Sequence, residues 1–136
     1  MALGLIGGTL DHAKRLVDLY RTSGRDAGHP DDQLTVGITS HMFVGDTTEQ
    51  ALRDIYPYYA RYLSPETNGG RGWRVDQAQM SSLAARRGAL MVGGPAQIAE
   101  KVLDLHGQLG VDRFLGQVDF GGMPRADGAR LHRPVR

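Results

Sequence analysis

Ser40 and His41 are the residues of this chain best suited to chemistry, standing together at the end of the run Leu34-Thr35-Val36-Gly37-Ile38-Thr39. Histidine is the side chain whose ordinary titration falls near neutral pH, so His41 is the candidate for proton exchange. No Asp or Glu adjoins it in sequence to orient the ring, and the alternative is a histidine that hydrogen-bonds a loop carbonyl. Gly7-Gly8-Thr9 is a second candidate. Glycines admit a ligand close to the backbone, and amides at the start of a helix can hold a phosphate. A tight turn with a threonine cap accounts for the same residues without a ligand. Gln117 and Asp119 form a third, polar residues that alternate along a run with Leu115 before Gly121-Gly122. On a strand, alternate side chains share one face, so Gln117 can meet a ligand there or satisfy a neighbouring loop. Metal chemistry is not expected: His12, His29, His41, His106 and His132 are scattered, without ligand spacing or supporting acids. Neither a G-x-S-x-G elbow nor a Walker loop occurs.

These residues need elements to position them, and the pattern supplies strands and helices in alternation. Ala2 to Ile6 is a short apolar run closed by Gly7-Gly8, as expected of a buried parallel strand. Thr9 is placed to cap a helix whose apolar face takes Leu10, Ala13, Leu16, Val17 and Tyr20. Leu34, Val36 and Ile38 alternate with Thr35, Gly37 and Thr39, which predicts a strand ending near Ser40 and His41. Asp46 and Glu49 have capping-box spacing ahead of a helix with Ala51, Leu52, Ile55 and Tyr59 on one face. Pro57 is expected to kink or interrupt that helix. Asp76 caps a short helix through Met80, Leu83 and Ala84, and Ala89 to Val92 reads as a brief strand. Gly93-Gly94-Pro95 then starts a helix that Gly110 stops, since Pro suits the first helical position and Gly the left-handed end. The order implies a parallel α/β fold.

Several of these blocks resemble the luciferase-like, flavin-dependent monooxygenases. Gly93-Gly94-Pro95-Ala96-Gln97-Ile98-Ala99-Glu100-Lys101-Val102, closed by Leu109-Gly110-Val111-Asp112-Arg113-Phe114-Leu115, is similar to the family's C-terminal pattern. Leu3-Gly4-Leu5-Ile6-Gly7-Gly8 resembles its sixth strand, and Leu34 to His41 its seventh. Tyr56-Pro57-Tyr58-Tyr59 and Arg71-Gly72-Trp73 are similar to an insertion found in one branch. The resemblance implies a (β/α)8 TIM-type barrel, of which residues 1–136 would be a single truncated domain, the C-terminal half with an inserted helical segment. A full barrel needs roughly 250 residues. It further implies an oxidoreductase that uses reduced flavin, FMN or alternatively a deazaflavin, with O₂ on a small organic substrate. His41 would then be catalytic, and Gly7, Gly8, Ser40 and Gln117 would border the cofactor. The family's main phosphate contacts come from earlier strands. Gly94 and Ala96 depart from the family's polar residue and Glu around Pro95, and a short tail with Arg125, Arg130, Arg133 and Arg136 replaces its closing helix.

Composition narrows the partners. The chain is 40% hydrophobic and 23% charged with a formal net charge of +1, which gives no reason to expect nucleic acid. It has no cysteine, so disulfides and thiolate chemistry are excluded, in keeping with a cytoplasmic protein. No apolar run reaches the ~18 residues of a membrane helix, and no membrane partner is expected. An open parallel half-barrel leaves strand edges and one sheet face uncovered. The expected partner is therefore a copy of the chain, as a homo-oligomer, or a complementary N-terminal half. The alternative to an enzyme is a catalytically inactive relative that serves as a self-associating or ligand-binding module.

Overall fold

The computed structural model describes residues 1–119 and 122–123. Phe120, Gly121 and the arginine-rich tail expected in place of the family's closing helix lie outside the described residues.

Among the described residues, four parallel strands and four helices follow one another in the expected order. Strand β1 (Ala2–Gly4) leads to helix α1 (Leu10–Asp26), a 3-10 turn (Asp31–Gln33) and strand β2 (Gly37–Val44). Helices α2 (Thr48–Leu63) and α3 (Gln77–Ala84) follow, then β3 (Met91–Gly93), α4 (Pro95–Leu109) and β4 (Arg113–Gln117). The chain is thus an arc of a TIM-type barrel with an inserted helical segment.

Strand β2 is the hub. Along Gly37–Thr39 it is flanked by β1 and by β4, with Leu3 and Phe114 both opposite Ile38. Beyond that, Met42–Val44 pairs with β3. This last pairing is why β2 runs three residues past His41, where the alternation alone placed its end. The start also moves, from Leu34 to Gly37.

The two faces of β2 differ. Val36 and Ile38 pack with Leu10, Ala13 and Val17 of α1 and Ile98, Leu105 and Leu109 of α4 in one buried cluster. Because side chains alternate, Thr39, His41, Leu115 and Gln117 share the opposite face. Leu115 is 48% exposed there, so this face is open in its middle. A second cluster, Phe43, Ile55, Tyr59, Met80, Leu90 and Val92, joins α2 and α3 to the strand ends.

The residues around Pro95 and Gly110 hold the unit in place by separate means. Pro95 opens α4 as its first residue, and Gly110 closes it at φ 59°. Arg21 of α1 donates to the carbonyls of Leu109 and Gly110 at 2.8 and 2.7 Å, fastening the end of α4 to its neighbour. Asp112 accepts from the Val36 amide at 2.7 Å and thereby sets the register of β4 on β2. Lys101 is buried, and its ammonium donates to the carbonyls of Ala84, Ala85 and Leu90 at 3.0, 2.8 and 2.7 Å. A buried cation needs such partners. Here they are the last carbonyls of α3 and the backbone leading into β3.

Caps follow sequence chemistry with one shift. Thr9 and Asp76 cap as expected, Asp76 in a full capping box with Gln79. Helix α2 is capped by Thr47, whose hydroxyl accepts from Gln50, rather than by Asp46. Pro57 does not interrupt α2, which runs through it. Ala51, Ile55, Tyr59 and Leu63 all lie buried along one side of the helix, and that packing outweighs the missing amide.

Candidate functional site

At the C-terminal end of β2 and β4, on the open sheet face, four side chains meet. His41 and Gln117 are opposite one another in the register. The last two turns of α2 lay Tyr59 and Tyr62 over them. Three residues apart on a helix, these two tyrosines occupy one side of it.

His41 is 1% exposed. Its Nδ1 lies 3.3 Å from the Tyr59 hydroxyl. Both tyrosine rings meet its imidazole edge-on, with centroids 5.4 Å away and planes at 77° for Tyr59 and 86° for Tyr62. Burial holds the His41 pKa below the usual 6.5, favouring the neutral ring. Tyr59 is pushed up to about 12, first by burial and then by Tyr62, and so stays a phenol. Gln117 is exposed and donates from Nε2 to the Tyr62 hydroxyl at 3.2 Å, with Asp119's carbonyl at 3.5 Å from the same nitrogen.

The other sequence candidates are placed elsewhere. Ser40 is buried on the opposite face of β2, where its hydroxyl donates to the Ala89 carbonyl at 2.6 Å. The Gly7–Gly8 turn leads into α1, with Gly8 at φ 94°, a conformation that suits glycine. Thr9 caps His12 and bridges to Gly88, and Arg87 pairs with Asp11 at 2.6 Å. A Cβ at Gly7 or Gly8 would meet nothing within 4 Å. Among the described residues, no close backbone cradle is built around either glycine.

The structure thus joins His41 to Gln117 and leaves Ser40, Gly7 and Gly8 apart from them. Sequence reasoning counted Tyr59 as an apolar helix residue and as part of an inserted block, and passed over Tyr62. Their i, i+3 spacing was the available signal. Among the described residues no group of three or more His, Cys, Asp or Glu is arranged to hold a metal, and no helix is long and apolar enough to cross a membrane.

A parallel α/β arc with polar and aromatic groups gathered at its C-terminal strand ends matches where α/β barrels carry their sites. Residues 1–113 match the family described as luciferase-like monooxygenase. The chain belongs to the luciferase-like monooxygenase family. Its structure is similar to the crystal structure of monooxygenase RslO1 from Streptomyces bottropensis, with a TM-score of 0.66 and 19% identity. At that identity the likeness bears on the fold. The match covers 88% of this chain and 34% of the other, so the chain spans about a third of that protein's length. No curated protein matches the sequence. In this member of the luciferase-like family, β1, β2 and β4 lie side by side.

Proposed function

We propose that this chain supplies one wall of the cofactor and substrate cavity of a flavin-dependent monooxygenase acting on a small organic substrate. The observation that carries this reading is the group His41, Tyr59, Tyr62 and Gln117 on the open sheet face at the C-terminal strand ends. FMN is the proposed cofactor, with a deazaflavin as the alternative. A phenol, an amide and the apolar Leu115 on one surface suit a planar heteroaromatic ring with a polar edge. The phosphate end fits this chain less well. The Gly7–Gly8 turn is spacious, and the start of α1 is already capped by Thr9. The phosphate is therefore assigned to strands outside residues 1–136.

When bound, reduced flavin supplies the electrons for reaction with O₂. The protein's task is to bind, orient and exclude water. Here Gln117 and Tyr62 orient the ring edge, while Tyr59 and the apolar face of α2 keep water from beneath it. Ser40 acts behind the sheet by holding the strand leading into β3. The compartment proposed is the cytoplasm.

The reading extends to a partner. A closed barrel needs eight strands, whereas β1, β2 and β4 provide three side by side. Two copies would bring six such strands, so a complementary N-terminal portion carrying five suits the opening better than a homo-oligomer does.

Titration of the purified chain with FMN, alone and with that N-terminal portion, tests the reading. Saturable 1:1 quenching of flavin fluorescence is expected, with O₂ consumption once a flavin reductase and reduced nicotinamide are supplied. A second reading, an inactive ligand-binding or self-associating module, is favoured by the unbuilt phosphate cradle. It would be supported by the absence of saturable quenching in both mixtures.

A further inference from the structure

We propose that Gln97 and Lys101 of α4 are positioning residues that clamp both ends of the inserted segment, the first turn of α2 and the last turn of α3, and so hold the Tyr59–Tyr62 end of α2 over β2 and β4. That this end serves a ligand rests on the flavin reading above; the clamp itself does not.

Helix α4 is tied to the sheet by its apolar side, through Ile98, Leu105 and Leu109. Gln97 and Lys101, four residues apart, share another side of it. The Gln97 amide bonds in both directions. Its Oε1 accepts from the Thr48 hydroxyl in the first turn of α2. Its Nε2 donates to the Ala84 carbonyl at the end of α3, at 3.1 Å. Thr48 Oγ1 accepts in turn from the Gly94 amide at 3.2 Å, so one hydroxyl joins the starts of α2 and α4. The Ala84 oxygen takes its second donor from Lys101 at 3.0 Å. An ammonium has three N–H groups, and the carbonyls of Ala84, Ala85 and Leu90 receive one each. Three residues beyond Lys101, Asp104 accepts from Arg86, just past the α3 cap, at 2.8 Å.

The backbone is shaped to let this clamp close. A Cβ on Gly93 would stand 2.4 Å from Gln97 Oε1 and 3.4 Å from Thr48 Oγ1, so glycine there leaves the amide its place. The first glycine of the Gly93-Gly94-Pro95 motif thus has a duty besides helix entry. Packing of Ile55, Tyr59 and Leu90 draws the insert onto the strand ends, but apolar attraction has no direction. The hydrogen bonds at the two ends do have direction. With its start fixed at Thr48, α2 carries Tyr59 and Tyr62 to their places beside His41 and Gln117.

Amide hydrogen exchange on the unmodified chain and three variants tests the clamp without a ligand. Gly94 and Ala51 report on the start of α2, and Ala85 and Leu90 on the end of α3. Thr48→Val should speed exchange about tenfold at the first pair, Lys101→Met at the second, and Gln97→Met at both, as loss of a hydrogen bond requires. Val17 in α1 should exchange as before in all three. Thr48 and Gln97 are only half-buried, so their replacements leave the core in place. A Gln97→Met variant loosened at one end alone, or one in which α1 quickens equally, would overturn the proposal. Positioning is read from the His41 ring signals in NMR, which the two edge-on tyrosine rings displace. These should move in Gln97→Met while those of His29 stay. Unmoved His41 signals would overturn the positioning role whether or not flavin binds. With FMN as the probe and the complementary N-terminal portion present, Gln97→Met should raise the Kd roughly three- to tenfold. Exchange and NMR changes as expected in a protein that binds no FMN would support the clamp and reject the flavin reading alone. Equal FMN affinity in the unmodified chain and Gln97→Met would count against the positioning role.

Discussion

Ser40 and His41 adjoin in sequence, yet the pleat sends them to opposite faces and gives them opposite duties. Ser40 spends its hydroxyl on the Ala89 carbonyl in a buried setting. Ser40→Ala should therefore cost about 1–2 kcal/mol in chemical denaturation, the usual loss for a buried bond, and leave FMN affinity unchanged. Lys101 gives a test by pH. Its folded pKa, lowered by burial to about 8, lies below the 10.5 of a free amine. Between those values the unfolded chain binds more protons, so stability rises with pH through that window. Tyr59 opposes this at higher pH: held at about 12 against the usual 10.0, it keeps its proton in the folded state after the unfolded chain has lost it. The urea midpoint should thus climb from about pH 8 to about pH 10 and then turn down. Lys101→Met should remove the climb. A midpoint that falls across the first window in the unmodified chain would contradict the assignment.

At the level of elements, what was legible was what is local. Pro95 and Gly110 mark the ends of α4 through backbone chemistry confined to a few residues, and Thr9 and Asp76 cap through bonds three residues long. The end of β2 was not legible. It depends on β3, which pairs with Met42–Val44 from far along the chain. The site was half legible for the same reason. His41 and Gln117 stood out by type, but the tyrosines that cover them come from 18 and 55 residues away. Pro57 shows a local rule outweighed by tertiary packing. Its ring is exposed on α2 while Ile55 and Tyr59 on the buried side anchor the helix. Pro57→Ala creates no cavity there and restores an amide, so it should stabilise the chain by about 1–3 kcal/mol. A Tm that falls instead would show that the proline shapes the helix in a way the fold needs.

On the scale of the whole molecule, among the described residues, one sheet face is sealed by α1 and α4 and the other is covered at its end by α2. Leu115 stays 48% exposed there, and among the described residues β1 and β4 each pair with β2 alone. Exposed edges and apolar area invite pairing. Sedimentation of the purified chain at micromolar concentration should show concentration-dependent association, replaced by a 1:1 complex when the complementary N-terminal portion is added. A sharp monomer boundary under both conditions would speak against the proposed completion.

The central claim is that the face bearing Thr39, His41, Leu115 and Gln117 is the inward wall of a flavin cavity. Amide hydrogen exchange with and without FMN, on the chain with its complementary portion, addresses it most directly. Slowed exchange should appear in β4 and in the part of β2 from Thr39 to Val44, with α1 and α4 unchanged. Protection confined to α1 and α4, or none at saturating FMN, would contradict it.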